Sequence, residues 1–80
     1  REEARGIELR LPESQTTEEM IRGLGDVLKQ SPGKCPVMMV LRLATGEVHL
    51  SLPTHMTVEP DERLFTSLER LFGHQVAELR

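Results

Sequence analysis

Two short stretches of the chain alternate apolar and polar residues, and this period of two predicts half-buried strands. In "GIELRL", residues 6–11, apolar residues alternate with charged ones until Pro12 ends the pattern. In "EVHLSL", residues 47–52, the residues predicted to face inward are Val48, Leu50 and Leu52.

Between these stretches, "PVMMVLRL" is an almost continuous apolar run, which is typical of a central strand. A hairpin across Thr45-Gly46 is predicted to join it to the alternating strand that follows. Two shorter stretches complete the set: "HMTV", residues 55–58, predicts a short edge strand, and "QVAELR", residues 75–80, predicts a last strand.

Two other stretches have the 3.6-residue spacing of amphipathic helices. The first has Thr16 and Glu19 spaced as a capping box and ends at Ser31-Pro32-Gly33, whereas the second begins at Pro60 and ends at Gly73. Their apolar stripes are Met20, Ile21, Leu24, Val27 and Leu28 in the first helix, and Leu64, Phe65, Leu68, Leu71 and Phe72 in the second. Gly23 and Gly25 flank the first stripe, where glycine is either merely tolerated or permits close helix packing.

The predicted fold class is α+β, with both helices packed on one face of a mainly antiparallel sheet of about four to five strands. This arrangement is of the split-βαβ, ferredoxin-like style. A chain of 80 residues is long enough for one domain, so residues 1–80 are assigned to a single domain. The opening "REEARG" suggests a piece of a longer chain.

Composition argues against several partners. A net charge of −3 with interspersed acids and bases does not favour phosphate binding, and no apolar run approaches the roughly 20 residues that cross a bilayer. Direct, specific nucleic-acid binding and membrane binding are therefore not expected. The single Cys35 cannot form a disulfide within the chain, which favours the cytoplasm as the compartment.

No stretch of the chain predicts an active site. "GLGDVL" lacks the third glycine of a dinucleotide fingerprint, and "SPGKC" lacks the first glycine of a phosphate-binding loop. His49, His55 and His74 fall on separate predicted elements, so they do not predict a metal site or a catalytic base. We expect no catalytic residue, cofactor or metal.

A protein-binding surface is the better candidate. If the helices cover one face of the sheet, the other face carries Met38 and Val40 within a charged rim, a composition typical of interaction surfaces. The alternatives are that these two residues pack on a neighbouring domain of the same chain or are simply exposed.

The order of several motifs resembles a known family over essentially the whole chain. The motifs are "ARGIELRL", "SPGKCPVMMVL", "GEVHLSL", "MTVEPDERLFTSLERLFG" and "QVAEL". Together they resemble the extreme C-terminal domain of the alpha subunit of the bacterial replicative DNA polymerase III. Two positions depart from the family pattern: Glu59 stands at the expected N-cap, and Met56 stands where a bulky, often aromatic residue is expected.

The resemblance implies a non-catalytic C-terminal interaction domain that binds the tau subunit of the clamp loader and tethers the polymerase to the replisome. It also implies contacts with other domains of the same polymerase chain, whose catalytic carboxylates lie upstream. The alternative function is a small-molecule-binding regulatory domain of ferredoxin-like fold, which would need a cleft with convergent polar groups.

The edges of the sheet are the predicted partner site, because unpaired backbone groups can accept a strand from another chain. We expect Met56, Val76 and Leu79 to contact the partner, with His55 and Thr57 at the rim, ahead of Met38 and Val40 on the open face. Substituting Met56 by Asp is then expected to weaken tau binding without unfolding the domain. The alternative is that Val76 and Leu79 only complete the core and that Met56 faces inward.

Overall fold

Two helices and five strands follow one another along residues 6–80, the part of the chain that the computed structural model describes. Ala4 and Arg5 of the "ARGI" motif lie outside the described residues. The elements are β1 (Ile7–Pro12), a 3-10 turn (Glu13–Gln15), α1 (Glu18–Lys29), β2 (Pro32–Cys35), β3 (Val37–Leu43), β4 (Gly46–Ser51), a second 3-10 turn (Thr54–Met56), α2 (Glu62–Phe72) and β5 (Ala77–Leu79).

The sheet has four strands in the order β4-β3-β1-β5. β1 pairs with β3 in parallel, whereas the β1–β5 and β3–β4 pairs are antiparallel. The predicted α+β class, with two helices and a mainly antiparallel sheet, is confirmed. One detail differs from a split βαβ unit, in which another strand would separate the two parallel strands. Here β1 and β3 are direct neighbours, because β4 turns back from β3 through a tight hairpin and pairs on its outer side.

One face of the sheet carries the core. Ile7, Leu9 and Leu11 of β1 lie in register with Val37, Met39 and Leu41 of β3, so these residues share the face that the helices cover. The buried cluster combines Ile7, Leu9, Leu11, Val37 and Met39 with Leu24 and Leu28 of α1 and with Leu64, Leu68 and Phe72 of α2. Both predicted helical stripes therefore supply the same core, except that Ile21 of the first stripe is 39% exposed.

The helix ends differ from the predicted ones by one or two residues. Thr17, not Thr16, caps α1, because its side chain accepts a hydrogen bond from the Met20 N–H at 3.2 Å. Asp61, not Glu59, caps α2 by accepting a hydrogen bond from the Leu64 N–H at 2.9 Å. Pro60 consequently lies before the helix. The predicted stop at Gly73 is confirmed, since this residue has a φ of 83° and ends α2 in the left-handed conformation.

Glycine is needed where two segments approach closely. A Cβ at Gly33 in β2 would lie 2.5 Å from the Glu59 backbone N, closer than atoms can approach without a backbone shift. A Cβ at Gly23 would lie 3.0 Å from Leu71 Cδ1, so the two helices pack closely at this point. Gly25 has open space around it, and here glycine is only tolerated.

β4 lies at the edge of the sheet, and its apolar residues are not buried. Val48 and Leu50 were predicted to face inward, and their register with Leu41 and Met39 does place them on the helix side. However, they are 39% and 45% exposed, and every residue of β4 is exposed. The prediction of burial is wrong because the periodicity identifies a face of the sheet, whereas burial also requires a helix above that face.

Replacing a central residue of either helical stripe by alanine is expected to cost about 2–5 kcal/mol of unfolding free energy, because each removes buried methyl groups. Leu24→Ala and Leu68→Ala test this, since the two side chains are 2% and 1% exposed. Urea unfolding measures the loss, and Ile21→Ala, at an exposed position of α1, is the matched control. A loss below about 1 kcal/mol for both core variants would contradict the shared core.

The two glycines that differ most in surroundings form a second matched pair. Gly33→Ala is expected to lower the unfolding free energy by about 1–3 kcal/mol, because the added methyl group meets backbone atoms. Gly25→Ala is expected to raise it by about 0.5–1 kcal/mol, since alanine is the better helix former and has room. Equal effects of the two substitutions in thermal or urea unfolding would contradict the described approach of β2 to Val58-Glu59.

Candidate protein-interaction surfaces

The residues predicted to bind a partner lie in three separate places. His55, Met56 and Thr57 lie in and after the second 3-10 turn, Val76 and Leu79 lie at β5, and Met38 and Val40 lie on the open face of the sheet. Each place offers a different kind of surface.

The segment around Met56 is not an edge strand, so that prediction is wrong. Pro53 precedes a 3-10 turn in which the Met56 N–H donates to the Pro53 carbonyl oxygen at 2.9 Å. The chain then pairs with β2: Val58 bridges both Pro32 and Cys35, and the Glu59 N–H donates to the Ser31 carbonyl oxygen at 2.8 Å. The backbone groups that an added strand would use are therefore engaged within the domain.

The side chains of this segment are partly engaged as well. Met56 is half-buried and packs against the core, and the Thr57 hydroxyl donates to the Gly33 carbonyl oxygen at 2.6 Å. His55 is exposed beside a shallow groove of about 210 Å³, which Leu28, Lys29, Pro32, Met56 and Thr57 also line. Replacing Met56 by Asp is consequently expected to lower stability, contrary to the expectation drawn from the sequence.

The open face of the sheet is more polar than predicted. Met38 is 39% exposed, but Val40 is only 1% exposed and is not available to a partner. Val40 lies between Arg10 and His49 in the sheet register. Arg10 also reaches across β3 to Glu47 on β4, with 3.2 Å between Nη1 and Oε2. These long polar side chains cover the apolar centre.

A carboxylate lies between two arginines on this face. Arg80 Nε donates to Glu8 Oε1 at 2.9 Å, and Arg10 Nε makes an ion pair with Glu8 Oε2. The hydrogen bond from Arg80, aided by the charge of Arg10, lowers the pKa of the Glu8 carboxyl below its ordinary value, although burial opposes the shift. Arg80 also forms an ion pair with Glu78, which joins Glu78 to this network of charged side chains.

β5 lies at the edge of the sheet opposite β4. One side of its backbone has no partner strand among residues 6–80. The Arg80 N–H donates to the Gly6 carbonyl oxygen at 2.8 Å, and the Arg10 N–H donates to the Val76 carbonyl oxygen at 2.9 Å. Backbone groups alternate sides along an antiparallel strand, so those of Ala77 and Leu79 point away from β1. β5 is the last strand in the sheet order, and Leu79 is 52% exposed.

A groove runs along this edge between α2 and β5, and we call it the α2–β5 groove. It has a volume of about 510 Å³ and is lined by Phe65, Leu68 and Glu69 of α2 and by residues 75–79. Leu79 is its most exposed apolar residue, whereas Val76 is 4% exposed and belongs to the core. The predicted site residue Leu79 is thus accessible, whereas Val76 completes the core and offers a partner little surface.

Sequence reasoning missed the contribution of α2 to this groove. Phe65 was assigned to the buried stripe, yet it is only half-buried, and Glu69 lies one turn further along the helix. One feature of the sequence indicates that Phe65 lies near the surface: Phe65 is at the margin of the apolar stripe, beside the fully buried Leu64. A residue at such a margin faces the boundary between core and surface.

Among residues 6–80, no group of three or more His, Cys, Asp or Glu side chains is placed to hold a metal ion. Cys35 is buried, and burial, together with the Glu59 carboxylate, raises the pKa of its thiol. No helix within that same range is long and apolar enough to cross a membrane.

Comparison of the chain with protein-family models, with curated protein sequences and with solved structures finds no match.

The carboxylate between the two arginines predicts a pH dependence of stability. A carboxyl whose pKa is lowered in the folded state contributes stability above its unfolded pKa of about 4.3 and loses it as the pH falls through the folded value. Wild type is therefore expected to be more stable than Glu8→Gln at neutral pH, with the difference vanishing in acid. Urea unfolding of both proteins between about pH 7 and pH 2.5 measures this; a difference that does not change with pH would contradict it.

Proposed function

We propose that this chain is a non-catalytic protein-interaction domain that accepts an extended segment of a partner along the edge of β5. The partner we propose is the tau subunit of the clamp loader, because the motifs of the chain resemble the C-terminal domain of the replicative polymerase alpha subunit. In that role the domain acts in the cytoplasm and tethers a polymerase whose catalytic residues belong to other domains.

The observation that carries the proposal is the outward direction of the Ala77 and Leu79 backbone groups. A strand that adds to a sheet edge gains main-chain hydrogen bonds, and its alternate side chains fit pockets beside the edge. The α2–β5 groove lies beside this edge on the helix side of the sheet, where Phe65 and Leu79 offer apolar contact. Edge and groove together support strand addition more than contact through a flat surface.

The charge of the groove favours a partner segment with basic residues. Glu69 lines the groove from α2, and no Lys or Arg of residues 6–80 lines it. A segment that alternates apolar residues with Lys or Arg would therefore place its apolar side chains toward Phe65 and Leu79. Because side chains alternate faces along a strand, its basic side chains would lie on the open face beside Glu78, which also lines the groove. Such charge pairing adds specificity and speeds association more than it adds affinity.

The proposal predicts which substitution removes binding. Leu79→Asp is expected to weaken binding of the C-terminal region of tau at least about tenfold, or about 1.4 kcal/mol, because it puts a charge into the apolar contact. Isothermal titration calorimetry measures the dissociation constant. The melting temperature should change little, since Leu79 is 52% exposed.

Met38→Asp is the matched control, because Met38 is also an exposed apolar residue but lies on the open face. It is expected to bind tau like wild type. If Met38→Asp abolishes binding while Leu79→Asp does not, the β5 edge is the wrong site. If wild type gives no heat with tau at any concentration tested, tau is the wrong partner.

A further inference from the structure

The sheet has a second edge without a partner among residues 6–80, on the outer side of β4. The Leu52 N–H donates to the Val37 carbonyl oxygen at 2.9 Å, and the same alternation turns the backbone groups of Val48 and Leu50 toward β3. The backbone groups of Glu47, His49 and Ser51 consequently point away from the sheet. They form a row of donors and acceptors that the described chain does not use.

This edge lacks three of the features that protect an exposed strand: a proline, a bulge and a charge on the core side. Edge strands are commonly blunted by proline, by a bulge or by a charge pointing toward the core side. β4 has six consecutive pairs with β3 and no bulge, and Gly46–Ser51 contains no proline. Its helix-side residues are Val48 and Leu50, which are apolar and 39% and 45% exposed. Such a strand is suited to pairing with another strand.

The sequence of β4 is complementary to itself in an antiparallel pair. When Val48 lies on a two-fold axis, Glu47 of each copy lies directly opposite His49 of the other copy. Both residues have outward backbone groups, so they meet as a hydrogen-bonded pair, and the two Val48 side chains meet on the helix side. If the two-fold axis passed through His49 instead, His49 of one copy would lie opposite His49 of the other, and the pairing of Glu47 with His49 between copies would be lost.

We propose that two copies of this chain associate through β4 in this register and form one continuous sheet across the two-fold axis. Each Glu47 already lies 3.3 Å from His49 Nε2 of its own chain, so the pair of strands would carry a cluster of alternating Glu and His side chains. A single six-residue strand on each side gives a small interface, so the association is weak and depends on concentration.

The β4 edge is separate from the proposed tau site. β4 and β5 are the opposite edges of the sheet, and β3 and β1 lie between them. Substitutions at one edge can therefore fail without affecting conclusions about the other.

Analytical ultracentrifugation of the purified chain up to about 1 mM tests the association, since this covers the weak end of specific binding. Wild type is expected to form a dimer whose fraction rises with concentration. Val48→Lys is expected to stay monomeric, because it places two like charges at the axis, while its circular dichroism spectrum remains that of wild type. Leu79→Lys, at the β5 edge, is expected to dimerise normally.

Disulfide trapping tests the register. Two Val48→Cys chains would bring their new thiols together at the axis, where the Cα atoms of a non-hydrogen-bonded pair lie about 4.5 Å apart, within reach of a disulfide. His49→Cys is expected to crosslink less, and the native Cys35 is buried. Three results would overturn the proposal. The wild-type chain could remain monomeric at about 1 mM. Dimerisation could be removed by Leu79→Lys but not by Val48→Lys, or His49→Cys could crosslink more than Val48→Cys.

Discussion

The parallel pairing of β1 with β3 determines most of the structure. Parallel neighbours cannot be joined by a tight turn, so the chain between Pro12 and Val37 must cross over the sheet. That crossover contains α1, which covers one face, and β2, which returns the chain to the start of β3. The face that α1 and later α2 cover becomes the core, and the other face remains open to polar side chains.

Both edges of the sheet follow from this central pair. One side of β3 is occupied by β1, so the strand that follows β3 pairs on its other side, and the hairpin to β4 does this. α2 then carries the chain back across the core to β5, which lies on the far side of β1. The two edges differ in their surroundings. β5 has a groove formed with α2, where we propose that a segment of a different protein binds, whereas β4 is exposed along its whole length, where we propose that a second copy pairs.

Periodicity in the sequence was sufficient to predict the helices, the central strand and the α+β class, because these depend on which side chains share a face. It was insufficient at Met56, where the pattern of an edge strand hid a 3-10 turn after Pro53 and a pairing with β2 that Gly33 permits. It was also insufficient at Val40, whose burial depends on Arg10 and Glu47 meeting across β3 from positions far apart in sequence. In the candidate site, Leu79 was predictable as an edge residue, but the contribution of α2 required the three-dimensional position of Phe65.

Amide hydrogen exchange at β5 tests the central claim most directly, because it reports on the backbone groups that a partner strand would engage. In the free domain the Ala77 and Leu79 amides should exchange rapidly, whereas the Glu78 amide, which faces β1, should be protected. Adding the C-terminal region of tau should slow exchange at Ala77 and Leu79 and leave Glu78 protected as before. Unchanged exchange at Ala77 and Leu79, with new protection elsewhere in the domain, would contradict binding by strand addition to this edge.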